Sequence, residues 1–265
     1  VIVDGKEIPY QIDDLDGNGT NDELCFLVDL EGKQTKTATI TLSDKANDKQ
    51  WKARTFAEMV LRNPKVKEKN KHDIYLSSIT IDKRTTNPYN VLHHHGVAFE
   101  SELIAMRIYM DKRQTIDLYG KFHKGLELEQ TQFYTSKEQK AQGYGDDVLW
   151  VGNTFGLGAF RGWNGTEPTL LEDVKHRTQR ILTTGPLRTI VEVEDNQWTI
   201  TPGAEPVNAT IRYTLYAGHR DFDVDVTFNK DVSAYEFSTG IINVKNSTEF
   251  SDHKGLRGCW GTDWP

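Results

Sequence analysis

Asp14-Leu15-Asp16-Gly17-Asn18-Gly19-Thr20-Asn21-Asp22 places oxygen-bearing residues at the first, third, fifth, seventh and ninth positions of a glycine-bearing loop. Hard cations are wrapped by oxygens at such spacing, so Asp14, Asp16, Asn18 and Asp22, with the Thr20 carbonyl, form a candidate structural calcium site. Gly19 stands where the loop must turn sharply. Cys25 occupies the twelfth position, where an EF-hand carries a bidentate Glu, and Glu23 to Leu30 reads as a strand. The expectation is an EF-hand-like loop inside a β-protein, with Asp13 or Glu23 open as a further source of charge. The competing reading is an acidic hairpin turn that binds nothing.

A second group is His93-His94-His95-Gly96. Imidazole titrates near neutral pH, which suits acid–base work or hydrogen bonding to a sugar. If the run is a strand, His93 and His95 share one face and His94 takes the other. Zinc would need further ligands, for which His219 or an Asp is conceivable, and plainly packed histidines are the third reading. Gly143-Tyr144-Gly145-Asp146-Asp147 sets two carboxylates in a glycine-flanked loop, either to bind a cation or hydroxyls or as an ordinary turn. In Ala217-Gly218-His219-Arg220-Asp221, Arg220 offers a fork for a carboxylate and His219 an acid or base. The alternative there is a hairpin with an internal Arg–Asp pair. Arg107 sits inside an apolar strand, where an unpaired charge is costly, so it meets a carboxylate of the protein or awaits an anionic ligand. By parity, Arg107 and Tyr109 are expected on one face with Val97, Phe99, Ser101, Leu103 and Ala105.

The elements that must position these groups have a period of two. Thr37 to Leu42, Ile74 to Ile81, Leu103 to Met110, Thr115 to Tyr119, Thr189 to Val193, Thr210 to Tyr216 and Phe222 to Phe228 read as strands, separated by Gly, Asn and Asp clusters. Phe222 to Phe228 alternates strictly, as a strand with one wet face does. Without a βαβ rhythm, the expected fold is all-β, a large antiparallel β-sandwich. One segment breaks the pattern: 48–71 is expected to hold a short helix ending before Pro64, or an irregular insertion, and its run from Lys65 to Lys71 reads as a solvated connector. Lys and Arg number 32 against 39 Asp and Glu, a net charge of −7, which disfavours a nucleic-acid-coating surface. No apolar run reaches membrane-spanning length, and no signal-like apolar segment opens the chain. Cys25 and Cys259 make no disulfide scaffold and leave one bridge open. The serine-hydrolase elbow, the zincin motif and the phosphate-binding loop are missing from the sequence. Among Trp51, Trp150, Trp163, Trp198, Trp260 and Trp264, some could be sugar-stacking platforms and most are expected to pack.

The runs IDDLDGNGTNDELCFLVDL, HHHGVAFESELIAMRIYMD, TIDLYGK, GYGDDVLWVG and YTLYAGHRDFDVDV resemble the domain-of-unknown-function family 4861, from Ile12 to about Phe228. Glu100, Arg107 and Tyr109 match the Glu, Arg and Tyr of that family's strand pattern. The resemblance implies a secreted or periplasmic bacterial protein of polysaccharide-utilisation systems. It also implies a supersandwich of the kind seen in mutarotase-like and polysaccharide-lyase domains. One sandwich domain over 1–265 is therefore expected, shortened at both ends relative to the family.

Two functions follow as expectations. The first is an enzyme acting on an acidic, pectin-like oligosaccharide by lyase or hydrolase chemistry, with His94, His95, His219, Asp147 and Glu100 as catalytic candidates. His93, Arg107, Tyr109 and Arg220 are the substrate-binding candidates. A lyase would neutralise the uronate carboxylate and pass protons through His or Tyr, whereas a hydrolase would set Glu100 and Asp147 about the glycosidic bond. The second is a non-catalytic carbohydrate-binding module with structural calcium, and a mutarotase-like activity is a weaker, fold-level analogy. On the catalytic reading, His95→Ala and Arg107→Ala are expected to abolish turnover while leaving thermal stability nearly intact.

Overall fold

Two five-stranded antiparallel sheets face each other in a computed structural model that describes residues 1–44, 49–66 and 73–262. The front sheet runs, in spatial order, Asp146–Asp147, Ile116–Gly120, Ile104–Tyr109, Gly96–Ser101 and Thr55–Glu58. The back sheet runs Phe222–Phe228, Val207–Tyr216, Arg188–Trp198, His176–Thr184 and Ser78–Asp82. The expected all-β antiparallel architecture is the one observed. Alternation within each strand explains it: Val97, Phe99, Met106 and Ile108 turn inward from the front sheet, and Val191, Val193, Ile211, Tyr213 and Leu215 meet them from the back. Phe222–Phe228 is an edge strand whose Phe222, Val226 and Phe228 pack on this core while Asp223, Asp225 and Thr227 are exposed. Outside the back sheet, Glu192 lies between Arg180 at 2.7 Å and Arg212 at 3.0 Å, a cross-strand charge row that keeps that face wet.

Two expectations are corrected here, and one open alternative is decided. The short helix foreseen before Pro64 is the strand Thr55–Glu58 instead, because Ala57 is needed in the core and Phe56 packs on the other side of the sheet. Within that stretch, Asp48 and the lysine-rich run from Lys67 to Lys71 lie outside the described residues, as does Trp264. The parity carried from Val97 to Arg107 fails at the hairpin. Ala98 is registered opposite Arg107 and Ser101 lies next to the tight turn, so even positions of one strand share a face with odd positions of the other. Arg107 therefore points away from Val97 and Phe99. Third, Cys25 and Cys259 are both free thiols, so the bridge left open by the sequence is not made.

The outer face of the front sheet is covered by the excursion 121–145, which leaves at Gly120 and returns at Asp146. It carries two short helices, Leu128–Thr131 (α1) and Lys137–Ala141 (α2), the latter closed by a Ser136–Gln139 capping box. Leu128 and Phe133 bury themselves against Ala98, Ala105 and Tyr119. Two carboxylates anchor the excursion. Glu100, fully buried, accepts from the backbone N–H of Glu127 at 2.9 Å and Leu128 at 2.9 Å and pairs with the buried Lys121 ammonium. Glu127 accepts from the Tyr119 hydroxyl at 2.8 Å and from Gly145 N–H at 2.9 Å, closing the base. Gly145 is required there: a Cβ would stand 1.8 Å from the Gly120 carbonyl oxygen.

Among the described residues no helix is long and apolar enough to cross a membrane. Glu100→Ala would strand the Lys121 charge, whose side chain is 1% exposed, and would uncap the excursion. Removing one partner of a buried pair costs about 3–5 kcal/mol, and a loss of that size is expected in urea unfolding of this variant. Unchanged stability would refute the anchoring role.

Candidate functional site

Two apolar clusters cover the outer face of the front sheet, one under α1 and one where Leu149, Val151, Ile242 and Val244 enclose Tyr109. Arg107 stands in the seam between them, its guanidinium 4.2 Å from the Phe133 ring centre. Its register partner on the neighbouring strand is Asp117. The Asp117 carboxylate accepts from Arg107 Nε at 2.9 Å and Nη2 at 2.6 Å, and from the Tyr109 hydroxyl at 2.9 Å. Of the two fates foreseen for Arg107, pairing with a carboxylate of the protein is thus realised. The guanidinium has two further contacts: Nη1 donates to the Tyr134 hydroxyl oxygen at 2.8 Å and Nη2 to Asp147 at 3.1 Å.

Asp147 differs from Asp117 in exposure. Its side chain is 36% exposed, against 2% for Asp117. Burial, then the neighbouring Asp117 charge, pushes the Asp147 carboxyl up to about 6, against the pull of Arg107. Tyr134 is half-buried; burial raises its phenol and Arg107 draws it back. The exposed Arg62, held by Asn90 at 3.0 Å, is close enough to act electrostatically on both Tyr134 and His95.

The three histidines do not lie on a strand. They form a turn after a short 3-10 helix, Pro88–Asn90, and His95 adopts φ +63° before the chain enters Gly96–Ser101. Gly96 permits that entry, since a Cβ would stand 1.6 Å from the Ile108 carbonyl oxygen. The buried Gln179 of the back sheet fixes the same point, accepting from Val97 N–H at 2.8 Å and donating to the Ile108 carbonyl at 3.1 Å. The turn brings all three rings to one region, so the alternation expected of them is overturned. His94 is fully buried and bonds Glu58 at 2.6 Å. His93 meets the Tyr134 ring edge-on at 5.3 Å between centroids. His95 stacks on Tyr89 at 3.7 Å, and since a carbonyl only accepts, its Nδ1–H donates to the Tyr89 oxygen at 2.8 Å. Burial holds the His95 imidazole down to about 4, so it is neutral at physiological pH and poorly placed to exchange protons there.

Of the candidate residues, Arg107, Tyr109, Asp147, His93 and His95 are thus brought together, with His94 behind them. Glu100 is the buried anchor of the excursion and cannot flank a glycosidic bond beside Asp147. His219 and Arg220 are exposed in the turn after Val207–Tyr216, with the His219 carbonyl accepting from Ser101. Ser101 ends the strand that begins at Gly96, and five residues of strand span ~17 Å, so this turn does not join the cluster. A zinc site shared by His219 and the histidine run is therefore not formed. Arg107→Ala would leave the buried Asp117 charge without its guanidinium, so the expectation of intact stability for that variant is also corrected. Trp198 is core, whereas Trp150 and Trp260 are exposed at 73% and 84%.

The sequence reading missed Glu58, Tyr89, Asp117 and Tyr134. Asp117 had a signal: it is an acid within a strand already read next to the arginine strand. The others are joined to the site by folding alone.

At the other end of the molecule, Asp14, Asp16 and Asp22 each bring one carboxylate oxygen to within 4.8 Å of the others. The loop is shaped by its own amides. Asp14 accepts from Gly17 at 2.8 Å, and Asp22 from Leu15 at 2.8 Å. Asn18 donates its amide to Asp16 at 2.9 Å, and its Oδ1 accepts from Thr20 N–H at 2.8 Å. Asp13 and Glu23, both open as extra ligands, each pair instead with Arg188 at 2.6 Å, which docks the hairpin on the back sheet.

The family model described as Domain of unknown function (DUF4861) matches residues 1–264. No curated protein and no solved structure matches the chain.

A prediction follows from the raised Asp147 carboxyl. The native state holds this proton more tightly than the unfolded chain, so its stabilising contribution is full below the unfolded value and is lost as pH rises through about 6. Asp147→Asn carries no such cost. Melting curves are expected to show the variant gaining on the wild type between about pH 4 and pH 7.5, and a pH-independent difference would contradict the assignment.

Proposed function

The chain belongs to the family of the domain of unknown function DUF4861, and we propose that it is a secreted or periplasmic carbohydrate-active enzyme that cleaves acidic oligosaccharides by β-elimination. One observation carries the reading: a single buried guanidinium, Arg107, holds a phenol at 2.8 Å and a carboxylate at 3.1 Å in a seam that opens to solvent. An elimination next to a uronate carboxylate needs three things. The carboxylate must be neutralised, the adjacent carbon proton must be accepted, and the departing oxygen must be protonated. Arg62, exposed at this place, suits the first. Asp147, ionised above about pH 6, suits the second. Tyr134 suits the third, since the Arg107 guanidinium that donates to its oxygen at 2.8 Å stabilises the phenolate formed when the phenol gives up its proton. The carbon–hydrogen pair becomes the new double bond as the glycosidic C–O bond breaks, the proton going to Asp147 and that of Tyr134 to the leaving oxygen. His93 and the Tyr89–His95 stack frame the sugar, and Tyr109 keeps Asp117 on Arg107.

The test is incubation with pectin-derived, glucuronan and ulvan-like fragments, followed by absorbance of unsaturated uronate. Tyr134→Phe and Asp147→Asn are each expected to lower kcat by ~10²–10⁴-fold, and the wild-type rate to rise with pH through about 6. Binding by calorimetry without product from any acidic glycan would replace this reading with the non-catalytic module.

A structural calcium ion in the Asp14–Asp22 loop is part of the same proposal. Three carboxylate oxygens within 4.8 Å repel one another, and oxygen-only donors are what a hard cation takes, so the residues present fit it. A ligand at a hundred times its Kd adds about 2.7 kcal/mol to stability. Chelator is therefore expected to lower the melting temperature by several degrees and calcium to restore it; an unchanged melt would remove calcium from the account.

A further inference from the structure

A cavity of about 380 Å3 lies between the loop 82–89, the turn 111–112 and residues 172–174. Its volume falls in the range of small-molecule sites, ~300–1,000 Å3. The charged groups that line it are already paired. Asp82 bonds Arg84 at 2.6 Å, Asp111 bonds Arg113 at 2.5 Å, Arg177 bonds Asp195 at 2.6 Å, and Lys112 pairs with Glu172. What remains is of a different kind. Among the described residues, the side chains of Lys83, Thr85, Thr86 and Asn87 and the Tyr89 hydroxyl have no hydrogen-bond partner. The wall thus presents hydroxyls, a carboxamide, a phenol and one ammonium, beside the apolar patches of Ile81, Pro88 and Val174.

Tyr89 is held rigidly. Its ring stacks on His95 at 3.7 Å, meets Tyr109 edge-on at 5.1 Å and lies 4.8 Å from the Arg113 guanidinium. An immobilised aromatic loses little entropy when a ligand arrives. Donors and acceptors without internal partners, next to small apolar patches, complement a ring that carries hydroxyls on its rim and C–H groups on its faces. An anion alone would find only Lys83 unpaired.

We propose that this cavity binds one pyranose unit through its hydroxyls. The proposal rests on the carbohydrate reading above and extends it, because Tyr89 belongs to both places: a sugar chain lying across Tyr89 would have one unit here and another beside Arg107. Binding here needs no turnover, so the two readings fail separately.

The experiment is saturation-transfer NMR on the full chain with neutral methyl pyranosides in one arm and methyl uronosides in the other. Transfer in either arm is expected, and the two arms separate a hydroxyl-only site from one that also uses Lys83. Thr86→Trp, which fills the cavity from an exposed position, is expected to weaken binding at least tenfold with an unchanged melting temperature. Asn87→Ala is expected to weaken it several-fold and serves if the first variant misfolds. Absence of transfer from every pyranoside, or transfer that survives both substitutions, would overturn the proposal.

Discussion

Arg107 and Asp117 face each other across two paired strands on the outer side of the front sheet, with exposures of 4% and 1%. Desolvating both ions costs about as much as their attraction returns, so the pair adds little net stability over an apolar pair of the same volume. What it contributes is position. A guanidinium is planar with five donors in a fixed fork, and two of its nitrogens are already tied to Asp117. The remaining donor directions are then set, and they determine where the Tyr134 oxygen and the Asp147 carboxylate sit. Tyr109 adds a third donor to Asp117, and Phe133 covers the guanidinium face. A neutral residue at 107 would leave a phenol and a carboxylate with no common reference point.

That arrangement requires an outer face closed on both sides but not over the middle. One side is closed by the excursion 121–145, whose buried ends are satisfied by Glu100, Lys121 and Glu127. The other is closed by the apolar residues around Tyr109. Buried backbone N–H groups at the start of α1 would be costly without Glu100, and this explains an acid deep under a helix with no chemistry of its own. The seam left between the two covers is where polar side chains can be held by dry neighbours yet reached from water.

How much of this could be read in the sequence depended on range. Period-two patterning is local, and it located Phe222–Phe228 and the arginine strand correctly. Registration across a tight turn is not local, and the parity argument failed there because Ala98, not Val97, lies opposite Arg107. The turn at the histidine run is not legible in the sequence, because one left-handed residue, His95, and the need for a glycine at 96 leave no trace in hydrophobic pattern. Chemical type alone marks Glu100, His94 and His95 as catalytic candidates, whereas burial decides whether such groups can exchange protons, and burial is a property of the packed chain. Glu58 meets His94 across 36 positions of sequence, and no spacing rule joins them.

The two aspartates on Arg107 illustrate how one fold gives like groups unlike roles. Asp117 has both oxygens occupied: Oδ2 takes two donors from Arg107 and one from Tyr109, and Oδ1 takes the Leu118 N–H at 2.9 Å. Nothing is left with which to meet a ligand. Asp147 sits one strand further out, registered opposite Tyr119, with one guanidinium contact at 3.1 Å and a Leu149 N–H at 3.3 Å. Burial, and after it the Asp117 charge, outweighs the pull of Arg107 and the Leu149 N–H, which is why its proton is held to about pH 6. The inner carboxylate is thus a fixed counterion, and its charge tunes the outer one. Because Arg107 pulls the other way and is itself held by Asp117, the chemistry of the seam is coupled to the same pair that positions it: a change that loosened Arg107 from Asp117 would shift both the place of Asp147 and the pH at which it is ready to accept a proton.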